Sequence, residues 1–175
     1  MSPLDRLRHD GVLTLTDLAA DIAGEPVRGT WWSHPAGKAI YAAGEALDAS
    51  DEALATKLVE GRVTWVHRAL WPFLARIVGD PGWRAATIAT LDPAARALLA
   101  QIEATGEVRS PPKKARDALE RRLLCDAESV HEGRHVMVLR PWRSTEARLG
   151  APADCSLDEA LRRVREACGG RACLD

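Results

Sequence analysis

Apolar positions recur every three or four residues in six segments of this chain, a spacing that predicts six helices. Two of the segments open on strong capping signals. Asp92 precedes Pro93 at the first, and Ser156 stands three residues before Glu159 at the second. The predicted helices cover residues 14–23, a stretch after Pro35 with Ile40, Tyr41, Gly44 and Leu47 in one apolar stripe, and residues 69–78, 92–105, 113–123 and 156–168.

Two other segments show a glycine turn between short apolar runs, which predicts two β-hairpins. Glu60-Gly61 separates residues 53–59 from residues 62–67, and Glu132-Gly133 separates residues 124–131 from residues 134–140. His131 and His135 flank the second turn. Their rings lie side by side if the loop holds three residues, and on opposite faces of the hairpin if it holds two.

The order of these elements predicts an α+β, mostly helical chain. A helix–hairpin–helix N-terminal half over residues 1–84 is followed by a winged helix over residues 85–148. A C-terminal helix and a loose tail complete the chain over residues 149–175. The residues expected to be buried in the core are Trp65, Leu70, Leu74, Leu98, Leu119 and Leu123.

The composition agrees with a globular chain and excludes several classes of protein. The chain has 175 residues, of which 46% are hydrophobic and 28% charged, and its formal net charge is −1. This balance is unlike that of a disordered segment or a histone-like polycation. No apolar run reaches the roughly 18 residues of a membrane span, and the first residues do not resemble a signal peptide, so we expect a cytoplasmic protein without a membrane partner.

The four cysteines do not indicate a zinc ribbon, because no two of them form a C-x-x-C pair. In a cytoplasmic setting we expect all four thiols to be free and reduced. We therefore predict neither a metal site nor a cofactor. A site at His131 and His135 would need a third ligand, either Glu128 or His67.

Two motifs resemble a known family. Gly24-Glu25-Pro26-Val27-Arg28-Gly29-Thr30-Trp31-Trp32-Ser33-His34-Pro35 and Val63-Thr64-Trp65-Val66-His67-Arg68-Ala69-Leu70-Trp71-Pro72 are similar to segments of a family of short bacterial proteins. That family in turn resembles the winged-helix DNA glycosylases that unhook crosslinks. The run from Ala115 to Leu124, with Val130, His131 and His135 after it, is similar to the same family's winged segment. The resemblance covers roughly residues 12–143 and implies a winged helix with a role in DNA repair.

The resemblance does not extend to the glycosylases' catalytic residues. Those enzymes place a Gln-x-Gln or Gln-x-Asp pair beside the glycosidic bond, whereas this chain has a single glutamine, Gln101, with Glu103 two residues later. The chain also has no G-x-S-x-G motif and no phosphate-binding P-loop motif. We therefore expect a binding protein more readily than an enzyme.

The basic residues of the predicted helix over residues 113–123, together with Arg134 after the second hairpin turn, are the candidate nucleic-acid contacts. Residues 105–148 hold ten basic and seven acidic residues, a net charge of +3, whereas residues 1–60 hold five basic and ten acidic, a net charge of −5. Asp117 and Glu120 lie among the cations, so a solvated helix face is the alternative. The candidates are Lys113, Lys114, Arg116, Arg121, Arg122 and Arg134.

The two tryptophan–histidine motifs predict a second site, because each joins tryptophan to histidine just before a helix. We expect His34 and His67 to lie in the same half of the fold and to line a shallow pocket for a small anion or a flipped base. The alternative is a buried polar network that fixes the first hairpin against its helices. The candidate pocket residues are Trp31, Trp32, His34, Lys38, His67 and Arg68.

These observations predict a winged-helix nucleic-acid-binding or DNA-repair accessory protein without established catalysis. The partner would be DNA, whose binding falls steeply with salt. Two alternatives remain open. One is a protein–protein interaction module with another protein as partner, and the other is a small hydrolase resembling a DNA glycosylase.

Overall fold

The structure is a computed structural model that describes residues 1–131, 133 and 135–174, apart from the side chains of residues 143, 144 and 146. It is an α+β fold in which helices predominate, as the sequence predicts. In chain order its elements are α1 Pro3–Asp10, β1 Val12–Thr14, α2 Leu15–Ala23, α3 Gly37–Asp48, β2 Ala53–Thr56, β3 Thr64–His67, α4 Trp71–Val78, α5 Pro81–Ala89, α6 Pro93–Thr105, β4 Val108–Arg109, α7 Lys113–Glu120, β5 Cys125–His131, β6 His135–Pro141, α8 Arg143–Leu149 and α9 Leu157–Ala167.

The N-terminal sheet is antiparallel, with the strand order β1-β3-β2. Trp65 of the central strand lies opposite Leu13 on one side and Ala55 on the other. Its ring is buried, and its indole N–H donates to the Asp48 carboxylate at the end of α3 over 2.7 Å. This bond satisfies the one polar atom of the ring and ties α3 to the sheet.

The second sheet is also antiparallel, with the order β4-β6-β5. It packs against α6 and α7 through buried residues such as Leu99, Ile102, Leu119 and Leu139. Along the chain this part therefore follows the order helix, strand, helix and two-stranded hairpin. One side of α7 packs against this sheet.

A third core cluster joins the two sheets. It brings together Val66 of β3, Leu74 of α4, Leu123 and Trp142 of the C-terminal part, and Val164 of α9. Because this cluster takes residues from the N-terminal sheet, α4, α8 and α9, the N-terminal sheet and the C-terminal helices are packed together. Each candidate site therefore has a fixed place relative to the others.

The C-terminal tail is ordered against this cluster, so the expectation of a loose tail is wrong. Cys173 and Leu174 are 4% and 8% exposed. Cys173 pairs with Val59 as an isolated antiparallel bridge, and Glu60 N–H donates to the carbonyl of Ala172 over 2.9 Å. Burial of two apolar side chains, together with this backbone pairing, offsets the entropy lost by ordering the tail.

The first hairpin is shorter than the pattern predicts, and side-chain hydrogen bonds explain why. Its paired strands end at Thr56 and begin again at Thr64, so residues 57–63 form a long connection. The Thr56 hydroxyl accepts from the Leu58 N–H, and the Thr64 hydroxyl accepts from the Val59 N–H. These hydroxyls compete with the strand ladder for the backbone donors. Glu60 and Gly61, the predicted turn residues, both have positive φ.

Five of the six predicted core residues are buried, and Leu70 is half-buried against the central cluster. Tyr41 departs from the predicted apolar stripe of α3. Ile40 and Leu47 of that stripe are buried, whereas Tyr41, one position beyond Ile40, points to solvent. None of the helices in the described part of the chain is long and apolar enough to cross a bilayer.

Candidate functional site

Three aromatic side chains form an exposed cluster, which we call the aromatic platform: Trp31, Trp32 and Tyr41. The Trp31 and Tyr41 rings are stacked at an interplanar angle of 16°, with their centroids 6.5 Å apart. Trp32 meets Trp31 edge to face at 5.7 Å. Trp32 is 67% exposed and Tyr41 is 58% exposed. Large aromatic rings contribute most to stability when buried, so exposing two of them together indicates a binding surface.

The platform is set by a short 3₁₀ turn at Trp31–Ser33. The Thr30 and Ser33 hydroxyls lie 2.8 Å apart, and the Ser33 hydroxyl also donates to the Thr30 carbonyl. His34 ends the turn, where its Nδ1 accepts from the Ala36 N–H over 3.1 Å. His34 therefore shapes the entrance to α3, and its ring is half-buried.

Gly37 is required by the close approach of this turn to α3. A Cβ at position 37 would lie 3.0 Å from the Trp31 carbonyl oxygen and 3.1 Å from the Trp32 carbonyl oxygen. Any other residue would require the carbonyl groups of the turn to shift by a few tenths of an ångström. The pair Trp31-Trp32 and Gly37 thus belong to one structural unit.

The beginning of α3 adds positive potential beside the rings. Its N-cap is Ala36, whose methyl group cannot accept a hydrogen bond from the first-turn N–H groups. Lys38 lies in that first turn and is exposed. A helix N-terminus with an adjacent cation favours an anion.

A groove of about 180 Å³ runs along the buried side of Trp31. Its walls are largely apolar and include Val27, Ala19 and Val63, while Arg62 stands at its edge. Arg62 donates to the Thr16 hydroxyl over 3.1 Å and lies 3.4 Å from the Glu60 carboxylate. The groove adds an apolar surface and the Arg62 guanidinium group beside the platform.

His67 and Arg68 lie outside the platform. The His67 Nε2 is 3.2 Å from the Glu52 carboxylate, and its Nδ1 accepts from the Ala69 N–H over 3.4 Å. Glu52 is also bound by Arg8. Hydrogen bonds from Arg8 and then from His67 lower the pKa of Glu52 to about 2. His67 therefore belongs to the polar network that was the alternative to the pocket.

The structure does not bring His34 and His67 into one pocket. His34 precedes α3, whereas the Glu52 partner of His67 follows the end of that helix. Twelve helical residues span about 18 Å. Each motif precedes a helix, but the two lie at different ends of β3. Trp31, before α3, borders the same groove as Val63, which precedes β3, whereas His67 ends β3 and leads into α4.

The cations of α7 are largely engaged with carboxylates. Lys57, from the first hairpin connection, donates to Asp117 over 3.2 Å and to Glu120 over 2.6 Å. Arg116 contacts the same two carboxylates, and Lys113 binds Asp117. Burial raises the pKa of Asp117, but the hydrogen bonds from Lys113 and Lys57 outweigh it and lower that pKa to about 2.

The other residues predicted to contact nucleic acid differ in their surroundings. Lys114 is exposed, with its ammonium group 4.0 Å from the Asp92 carboxylate. Arg121 is exposed and borders a small cavity under the C-terminal tail. Arg122 is half-buried and donates to the Ala118 carbonyl, and Arg134 lies outside the described residues.

Sequence reasoning missed Tyr41 and Arg62 as members of the site. A signal for Tyr41 was present, because it lies one helical turn after Lys38 and so on the same side of α3. Arg62 had no comparable signal, since the long connection brings it to the groove.

Comparison with protein-family models, with curated proteins and with solved structures found no match to this chain.

Proposed function

We propose that this protein binds nucleic acid, and that the aromatic platform stacks on unpaired bases. The observation that carries the proposal is the exposed pair of Trp32 and Tyr41 around the partly covered Trp31. Every base has a flat π-face, and stacking on an aromatic side chain contributes about 1–3 kcal/mol per base. Three rings in one cluster offer room for more than one base.

The charges beside the platform favour a nucleic acid over an uncharged ligand. Lys38 and the first turn of α3 provide a place for one phosphate, and Arg62 adds a guanidinium group at the groove beside Trp31. The N-terminal 60 residues nevertheless carry a net charge of −5. We therefore infer a short single-stranded footprint with few phosphate contacts.

We also propose that residues 85–148 are a winged helix and that the protein serves as an accessory in DNA repair. The order α6, β4, α7, β5, β6 supports this assignment, as does the resemblance of the run from Ala115 to Leu124 to the winged segment of the short bacterial family. The ion pairs of Asp117 and Glu120 disfavour α7 as the main contact to a duplex. Arg121, at the end of that helix, remains as a secondary phosphate contact, whereas Lys114 faces the Asp92 carboxylate.

Fluorescence anisotropy with a short labelled oligothymidylate tests the platform. Trp32→Ala should weaken binding about tenfold, because it removes one stacking ring. Lys38→Ala should lower the slope of log affinity against log salt by about 0.7, the loss of one phosphate contact. Lys114→Ala is the matched control, a lysine equally open to solvent but placed on α7, and it should change neither quantity.

Two results would overturn the proposal. If Lys114→Ala or Arg121→Ala weakens binding while Trp32→Ala does not, α7 carries the contact. If the wild-type protein binds no oligonucleotide even at low salt, the platform serves another ligand. That result would favour the alternative hypothesis of a protein–protein interaction module.

A further inference from the structure

The tip of the second hairpin carries two exposed histidines at directly opposed positions. His131 pairs with His135 in the register of β5 and β6, so three residues close the loop. Their imidazole rings lie 5.2 Å apart between centroids, at an interplanar angle of 68°. The rings are thus side by side on one face of the hairpin, one of the two arrangements the sequence left open.

This separation is the one that two imidazoles adopt around a single metal ion. A metal lies about 2.0–2.1 Å from a ligating ring nitrogen, and the ring centre is roughly 1.2 Å farther away. Two such rings at an angle of about 110° have their centres about 5 Å apart. The hairpin already holds the rings at that spacing, so binding requires little movement of the backbone.

A neighbouring hydroxyl supports the same interpretation. The Ser129 Oγ lies 3.3 Å from the His135 Nδ1. Ser129 shares the face of the two histidines, because positions two apart on a strand point the same way. When the Nδ1 carries the proton and donates it to Ser129, the Nε2 lone pair is free for a metal. Ligating histidines commonly donate their second ring N–H in this way.

The residues around the pair favour copper. Met137 is opposite Ser129 in the register and is next to His135 along the same face. Within the described residues, no group of three His, Cys, Asp or Glu side chains could hold a metal ion. Imidazoles with a thioether nearby suit copper, which also leads the divalent series in affinity for nitrogen ligands.

We propose that the hairpin tip binds a copper ion through His131 and His135, with Met137 available as a third, soft ligand. The remaining coordination positions face solvent, because both histidines are exposed. The site is separate from the aromatic platform, and the two proposals do not depend on each other.

Calorimetric titration of the protein, purified without a histidine tag, with Cu²⁺ tests this proposal. We expect one strong equivalent, with Zn²⁺ binding more weakly and Mg²⁺ not binding at this site. His131→Ala and His135→Ala should each weaken copper binding by more than about tenfold, and Ser129→Ala by about tenfold. His9→Ala is the matched control, since His9 is an exposed histidine far from the hairpin in sequence, and it should leave the affinity unchanged.

A second measurement uses the wild-type protein alone and so does not depend on how a variant folds. Bound copper should protect His131 and His135 from acylation by diethyl pyrocarbonate while His9 stays reactive. The electron paramagnetic resonance spectrum of bound Cu²⁺ should show two equatorial nitrogen ligands. Unchanged affinity in the variant lacking both hairpin histidines, or equal acylation of all three histidines with and without copper, would overturn the proposal.

Discussion

The conformation of the aromatic platform depends on one residue that carries no side chain. Gly37 lies under the carbonyl groups of Trp31 and Trp32, at distances that a Cβ could occupy only by displacing backbone. Gly44 lies two turns later in the same helix. There a Cβ would meet only the Trp65 ring, in ordinary contact at 3.5 Å. Alanine substitution at each of the two glycines therefore separates the effect of adding a methyl group to the helix from the effect of crowding the turn.

Gly37→Ala should lower the melting temperature and weaken oligonucleotide binding together, because the displaced turn carries Trp31 and Trp32. Gly44→Ala should raise stability by about 0.5–1 kcal/mol, since alanine loses less entropy than glycine in a helix. Thermal melting with the same anisotropy assay checks both variants. Equal binding by wild type and Gly37→Ala would contradict the role assigned to the turn.

Among the elements, Lys57 links the long connection of the first hairpin to α7. Its ammonium group contacts Asp117 and the buried Glu120, so part of the charge of α7 serves the packing of the two halves. The pattern of the sequence shows the ion pairs within α7, because they are three or four positions apart. It cannot show Lys57, which is 60 residues away from Asp117.

Lys57→Ala should lower the free energy of unfolding by about 1–3 kcal/mol, because it removes charge-assisted hydrogen bonds to Asp117 and to the buried Glu120. Lys114→Ala, whose side chain is solvated, should stay within about 0.5 kcal/mol of wild type. The contribution of Asp117 is present above its unfolded pKa near 3.8 and is lost as pH falls towards about 2. Urea melts from pH 6 down to pH 2 should therefore show the Lys57→Ala difference shrinking in that acid range.

Local capping signals account for several of the predicted helices, although α1 and α5, which open on Ser2-Pro3 and Asp80-Pro81, were not predicted. Thr14 caps α2 through a reciprocal bond with Asp17, and Asp92 and Ser156 cap α6 and α9. The strands β1 and β4 contain three and two residues, too few for a period to appear. They exist because they pair with β3 and β6, and such pairing is set by tertiary structure.

Across the molecule as a whole, the core clusters bury most of the thiols. Cys125, Cys168 and Cys173 are buried, and only Cys155 is half-buried. Burial raises the pKa of the Cys125 thiol. The pKa of the Cys168 thiol is raised mainly by a hydrogen bond with Cys173 and also by burial. Raised pKa values keep these groups in the unreactive thiol form.

Reaction with Ellman's reagent should therefore modify one thiol quickly in the folded protein and all four in denaturant. Cys155→Ser should remove the fast phase. Two or more fast thiols in the native protein would show that the tail carrying Cys173 does not stay packed against Val59, contrary to the ordered C-terminus described above.

Photocrosslinking locates bound nucleic acid on the protein, and we expect it at the aromatic platform. An oligonucleotide carrying 5-iodouracil is bound and irradiated, and the protein is then digested with trypsin and analysed by mass spectrometry. We expect the crosslink in the peptide from Gly29 to Lys38, at Trp31 or Trp32, or in the following peptide at Tyr41. Crosslinks confined to α7 or to the second hairpin would contradict the account.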